Sequence, residues 1–239
     1  MHIPVIFEDG DILVINKPSG IVVHPFDFSD EETVLDFLRE YFPAMFSIEN
    51  SVTLQDGRMI PLGGIMHKLD RETSGVMAVA KNQKTFDELR AQFAQQEIEK
   101  TYVALVEGVV EEGMFRIDAP LGRSKKDYKQ STAPENPRGE LREAITDVEV
   151  IERKNNTTLV KLTPLTGRTH QLRAHMASIG HPIVGDISYG YQKKQETGSG
   201  KREKKRIMLH AQSMSFTING EKKKFEAEVP EEFERSALY

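Results

Sequence analysis

The chain has 239 residues, with 38% hydrophobic and 29% charged residues, enough for one large domain or two small lobes with a real core. It has no cysteine, which excludes a thiol nucleophile, a disulfide framework and a thiolate zinc site. The formal net charge of −5 is unusual for a nucleic-acid binder, but "KKQETGSGKREKKR" (193–206) is strongly basic and "GEKKKFE" (220–226) adds to it, which suits a local basic face. No basic start precedes an apolar core at the N-terminus, and no apolar run has the length of a bilayer span. The default location is therefore the cytoplasm.

In chain order, "VIFEDGDILVINKPSGIVVHP" reads as strand, turn, strand, with Asp9-Gly10 at the turn. Pro18 and Gly20 suit the second and fourth positions of a type I turn. Residues 32–42 are helical in pattern, with Leu35, Leu38 and Phe42 at helical spacing. Residues 43–64 read as irregular. "GVMAVAK" (75–81) is a strand, and Asn82 caps a helix to about Gln96, with Phe86, Leu89 and Phe93 on one face. "KTYVALVEG" (100–108) is a strand apolar enough to be buried on both sides.

Residues 123–142 carry two prolines and little periodicity, which predicts a long surface loop. Residues 144–165 predict a hairpin around Asn155-Asn156. Residues 166–182 predict a helix capped by Thr166 or Thr169 and stopped by Gly180 and Pro182. Residues 190–206 predict a basic mobile loop, and the chain closes with a hairpin across Asn219-Gly220. Mixed strands and helices with several hairpins give an α+β fold around a largely antiparallel sheet.

The chemistry concentrates at "GGIMHKLDRETSGVMAVAK" (63–81), where a lone carboxylate, Asp70, stands among His67, Lys68 and Arg71 at the mouth of a strand. Cationic neighbours favour an ionised carboxylate, which can act as base or nucleophile. The same residues also suit a structural ion pair or a turn cap. "GRTHQLRAH" places Arg168 at a loop–helix junction, a good shape for a bidentate grip on a carboxylate or phosphate. His170 and His175 are about 140° apart around a helix, and no suitable partner follows, so no metal site is expected.

"HKLDRETSG", "VMAVAKN", "KTYVALVEG" and "LTPLTGRTHQLRAHMASIGHPIVGDISYG", in this order, resemble the RluA family of RNA pseudouridine synthases. The opening "VIFEDGDILVINKPSGIVVHP" and closing "IMLHAQSMSF" resemble its flanking segments, so the likeness covers nearly the whole chain. It implies the pseudouridine synthase catalytic fold over residues 1–239: a mixed, mostly antiparallel central sheet flanked by helices, two lobes sharing one sheet, and a central cleft. No N-terminal RNA-binding domain is expected.

By this resemblance Asp70 is the catalytic aspartate, Tyr102 the tyrosine beside the target base and Arg168 the arginine that pairs with the aspartate. Taken by its strand alone, Tyr102 is an in-facing core aromatic. Lys161 and Leu162 match pocket positions, and Lys68, Arg71, His170, Gln171 and Arg173 complete the expected RNA-binding set. The family usually has arginine at the position of Lys68; lysine keeps the charge but gives up planar stacking and bidentate geometry.

The implied reaction is an isomerisation of uridine through a glycal or acylal intermediate, needing no cofactor and no metal. The implied partner is RNA, ribosomal first and transfer RNA second, with a monomeric enzyme and no membrane. Two rivals remain: a non-catalytic RNA-binding or ribosome-assembly module on the same fold, and a hydrolase with a second carboxylate. For the hydrolase only Asp186 is available, in a glycine-rich turn that suggests a structural role.

Overall fold

The computed structural model describes residues 1–25, 31–54, 57–124, 129–132, 137–190 and 206–235. It divides into two compact units, one of Met1–Lys100 with Ala211–Glu228 and one of Thr101–His210 with Val229–Tyr239. The basic segment expected to be mobile lies, over 191–205, outside the described residues.

The first unit holds β1 (Val5–Glu8), β2 (Ile12–Lys17), α1 (Val34–Tyr41), β3 (Ser51–Thr53), β4 (Met59–Pro61), β5 (Ser74–Ala80) and α2 (Gln83–Gln95). β6 (Glu99–Glu107) carries the chain into the second unit, which continues through β7 (Met114–Asp118), β8 (Leu121–Ser124), β9 (Gln130–Ser131), β10 (Pro137–Arg142), β11 (Ile145–Lys154), β12 (Thr157–Pro164) and α3 (Gln171–Ser178). β13 (Leu209–Ile218) and β14 (Glu221–Glu226) return to the first unit, and α4 (Glu232–Arg235) ends in the second.

In the first unit the strand order is β1-β2-β5-β13, with β14 paired to β13. β2 and β5 run antiparallel from Ile12 opposite Ala80 to Lys17 opposite Gly75. Every residue of β5 is buried, as its unbroken apolar and small-residue sequence implies. Ile12, Val14, Val76, Ala78, Leu89, Met214 and Phe216 form its core. α2 begins where the Asn82 side chain accepts the Thr85 N–H at 3.0 Å, a cap that contributes about 1 kcal/mol. α1 begins with a capping box: Thr33 Oγ1 accepts from Asp36 N–H and Asp36 accepts from Thr33 N–H. It stops before Pro43.

In the second unit the order is β6-β12-β11-β7, antiparallel throughout. Val103, Leu105, Val160, Leu162, Leu172, Met176 and Phe233 belong to its core.

Three expectations are corrected. Residues 43–64 contain a short 3-10 turn, Pro43–Ser47, and the β3–β4 hairpin. Residues 123–142 contain strands of a small sheet of order β10-β8-β9, whose β10–β8 register shifts between Arg138 and Arg142. The third helix is only Gln171–Ser178; its entry residue His170 is left-handed at φ 53°, and neither threonine caps it. The hairpins at Asn155 and Asn219-Gly220 form as expected, with all three residues at positive φ.

Candidate functional site

Asp70 follows β4 and stands in the turn that enters β5, where its carbonyl accepts from Thr73 N–H at 3.1 Å. The turn is built from the N-terminal strand. Lys17, the last residue of β2, is fully buried. Its Nζ donates to the carbonyls of Pro18 at 2.8 Å, Ile21 at 2.7 Å and Arg71 at 3.0 Å. Gly20 N–H donates to the same Arg71 carbonyl, and Ser19 Oγ donates to the Glu72 carbonyl at 2.7 Å. A buried ammonium requires such acceptors, and backbone carbonyls supply them at fixed points. The "NKPSG" turn therefore grips the backbone on the C-terminal side of Asp70.

The N-terminal side is held by His67. Its Nε2 accepts the Ala78 N–H at 3.1 Å, and its ring stacks on Phe93 with centroids 4.9 Å apart. Burial first, and then the charge of Lys100, push its pKa down to about 3, so the ring is neutral at pH 7. His67 is thus an internal acceptor and not one of the cations around Asp70. Lys68 is exposed and Asp70 half-buried. Arg71 is exposed, with its guanidinium 2.5 Å from the Glu31 carboxylate. Two glycines allow close backbone approach. A Cβ on Gly64 would stand 1.8 Å from the Ala80 carbonyl oxygen, and one on Gly75, at φ 116°, would stand 2.1 Å from that of Ala211.

In the second unit, Tyr102 is half-buried on β6 opposite Leu162 of β12 and packs against the core. Leu162 is fully buried. Lys161 pairs with Glu149, its cross-strand neighbour, at 2.7 Å. Arg168 donates from Nε to the Glu143 carbonyl at 2.9 Å, and its backbone N–H donates to Gln171 Oε1 at 3.0 Å.

Gln171 is buried and uses both ends of its amide. Oε1 also accepts from Thr166 Oγ1 at 2.8 Å, while Nε2 donates to the Ile145 carbonyl and to Thr146 Oγ1. Thr146 Oγ1 is 2.9 Å from His175 Nδ1, and His175 Nε2 donates to the Ala119 carbonyl at 3.0 Å. Burial lowers the His175 pKa, in keeping with a neutral ring of this tautomer. His170 Nδ1 lies 3.1 Å from Tyr189 Oη, which accepts the Gln130 N–H at 2.8 Å.

Arg173 turns inward. It forms a bidentate pair with Asp186 at 2.6 and 3.0 Å, with side-chain exposures of 8% and 0%. Asp186 also accepts from the Ser188 and Tyr189 N–H groups, the structural role its glycine-rich turn suggested. Arg173 and Gln171 are thus placed within the fold, whereas Lys68, Arg71 and Lys161 reach its surface. Lys222, Lys223 and Lys224 lie by Glu99, Asp9 and Glu226 respectively. Lys17 and Ser19 were missed as site-building residues; their signal was the "NKPSG" punctuation itself. Among the described residues, no group of three or more His, Asp or Glu side chains could hold a metal ion. Among them, too, no helix is long and apolar enough to cross a membrane.

The family described as RNA pseudouridylate synthase matches residues 11–178. An uncharacterized RNA pseudouridine synthase of Aquifex aeolicus is 37% identical over 236 residues, covering 97% of this chain and 71% of the relative. The ribosomal large subunit pseudouridine synthase D of Haemophilus ducreyi is 35% identical, covering 96% and 68%. The solved structure of human RNA Pseudouridylate Synthase Domain Containing 1 superposes with a TM-score of 0.73 at 27% identity, covering 95% of this chain and 83% of that one. With the α+β architecture in place and a family match across well over half its length, the chain belongs to the RluA family of RNA pseudouridine synthases and is an isomerase.

Proposed function

We propose that this chain converts uridine to pseudouridine in large-subunit ribosomal RNA, with Asp70 as the catalytic residue. The observation that carries the reading is the doubly anchored Asp70 segment: Lys17, Ser19 and Gly20 hold the backbone after it, and His67 holds the backbone before it. A carboxylate that must meet one ribose carbon gains from such fixed placement. The choice of ribosomal RNA over transfer RNA is supported by the name of the Haemophilus relative.

The reaction is balanced within the nucleoside. The N1–C1′ bond breaks, the uracil turns and C5 bonds to C1′; the C5 proton leaves and N1 ends protonated. Asp70 acts at the ribose as nucleophile or base, through an acylal or a glycal. Arg168 is the arginine that pairs with this carboxylate and aims it, as the family resemblance implies. Tyr102 packs on the uracil and takes part in the late proton transfer. Lys68, Arg71, Lys161, Leu162, His170, Gln171 and Arg173 form the surrounding RNA-binding set, the buried ones by supporting the backbone that meets the substrate. Extrusion of the base costs a few kcal/mol, which contacts to the phosphate backbone offset.

The test is tritium release from [5-³H]uridine-labelled ribosomal RNA and transfer RNA, run separately. Asp70→Asn should abolish release and keep RNA binding. Substantial release by the variant would remove Asp70 from the mechanism. Release from transfer RNA alone would overturn the ribosomal assignment, and release from neither would favour the non-catalytic module.

A further inference from the structure

Four polar side chains are buried together in the second unit. Thr146, Thr166, Gln171 and His175 are 0%, 3%, 4% and 0% exposed. They form one continuous hydrogen-bonded chain, and backbone groups fix its polarity. The Ala119 carbonyl can only accept, so His175 Nε2 carries a proton. In the neutral ring that burial favours, Nδ1 is then an acceptor, and the Thr146 hydroxyl donates to it at 2.9 Å. Thr146 Oγ1 in turn accepts from Gln171 Nε2 at 3.0 Å. The Ile145 carbonyl at one end of the Gln171 amide and the Arg168 N–H at the other permit only this orientation of it. Thr166 completes the chain: its hydroxyl donates to Gln171 Oε1 at 2.8 Å and accepts the Ile145 N–H at 3.0 Å.

The chain of bonds leads to Arg168. Gln171 Oε1 takes the Arg168 N–H at 3.0 Å, while Arg168 Nε donates to the Glu143 carbonyl at 2.9 Å. Leu165 N–H donates to the Ile145 carbonyl at 3.0 Å. The loop 165–168 is thus stitched directly to residues 143–145 through Leu165, Thr166 and Arg168, and Gln171 braces it from the helix. A core needed only for stability is served as well by apolar groups of the same shape, since replacing both partners of a buried hydrogen bond is nearly neutral. A fully satisfied polar network instead selects one arrangement of the backbone around it.

We propose that Thr146 and His175 are positioning residues for Arg168: acting through Gln171, they hold the 166–168 backbone in the one arrangement from which the guanidinium serves the reaction. The inference deepens the pseudouridine synthase reading and rests on its assignment of Arg168. Both nitrogens of His175 are occupied within the fold, which leaves the ring no part in proton transfer to a substrate. Its contribution is the acceptor that orients the Thr146 hydroxyl, and through it the Gln171 amide.

The experiment uses the transcript that supports tritium release. Thr146→Val replaces the hydroxyl by a methyl group of the same shape. It should lower kcat about tenfold, the scale of a small misplacement of a reacting group. The RNA Kd, measured in the non-reacting Asp70→Asn background, should stay unchanged. Thr146→Ser keeps the hydroxyl and should restore kcat. In an Arg168→Lys background, expected to be slow but measurable, Thr146→Val should cost nothing further, because a residue that acts through Arg168 cannot be lost twice. Should Thr146→Val fail to fold, His175→Leu and His175→Asn form the same pair from the other end of the chain, of which His175→Asn keeps an acceptor in the place of Nδ1. Full kcat in a folded Thr146→Val or His175→Leu protein, or an equal loss in both backgrounds, overturns the inference and leaves the parent reading intact. Full turnover by Arg168→Lys overturns the inference together with the reading of Arg168 on which it rests.

Discussion

The Nζ of Lys17 lies 3.0 Å from the carbonyl oxygen of Arg71, a contact between residues 54 positions apart in the chain. It fixes the peptide next to Asp70 from inside the fold. Lys17→Met keeps the stem and deletes the donor. Stability should fall by about 3 kcal/mol, because buried carbonyls lose their partner. Turnover should fall further than RNA affinity, since the carboxylate is misplaced while the surface is kept. Denaturation curves with separate kcat and Kd measurements check this; parallel losses in both would point to a general defect.

His67 makes stability depend on pH with a definite sign. Its folded pKa of about 3 lies below the unfolded value near 6.5, so the unfolded chain binds the proton first. The contribution is complete above pH 6.5 and is lost as pH falls toward 3. Between pH 7 and pH 5 this group should remove about 2 kcal/mol. His67→Gln keeps an acceptor for Ala78 N–H and cannot titrate. The difference between the two proteins' stability–pH curves isolates the effect from that of His175, which has the same sign; identical curves would refute it.

Gly75 is required by two features at once, φ of 116° and the Ala211 carbonyl in the space of a Cβ. Gly75→Ala should cost about 3 kcal/mol or more. Gly113→Ala, with nothing within 4 Å of the new methyl group, should be nearly neutral. Chemical denaturation of the pair checks the contrast.

The Arg173–Asp186 pair should show strong coupling. Arg173→Met leaves a buried carboxylate and should cost about 3 to 5 kcal/mol, as should Asp186→Leu, which strands the guanidinium. The double variant should be less damaged than the sum of the two. A double-mutant cycle with zero coupling would contradict the geometry.

The readable parts of the sequence were those fixed by local chemistry. Asn82 ahead of an amphipathic run gave α2, and the asparagine and glycine turns gave the two hairpins. β8 and β10 were read as loop because short strands rich in Arg, Ser and Glu carry no apolar alternation. α3 was drawn too long because nothing local shows that His170 adopts a left-handed backbone. The direction of Arg173 was hidden because its partner lies 13 residues away, beyond the helix. At the site, Asp70 stood out by its motif. The hold of Lys17 on its turn did not, since a lysine in a strand ordinarily extends its head to solvent.

One ammonium that donates to both the Ile21 and Arg71 carbonyls also ties together the two ends of a long excursion of the chain. α1, the 3-10 turn and the β3–β4 hairpin all lie within that excursion. Loop-closure entropy grows only slowly with length. The stretch from Val22 to Asp70 can therefore gain or lose residues at its surface while its exit point stays fixed. Lys17 acts as a clasp that separates the evolutionary drift of the excursion from the placement of the carboxylate at its end.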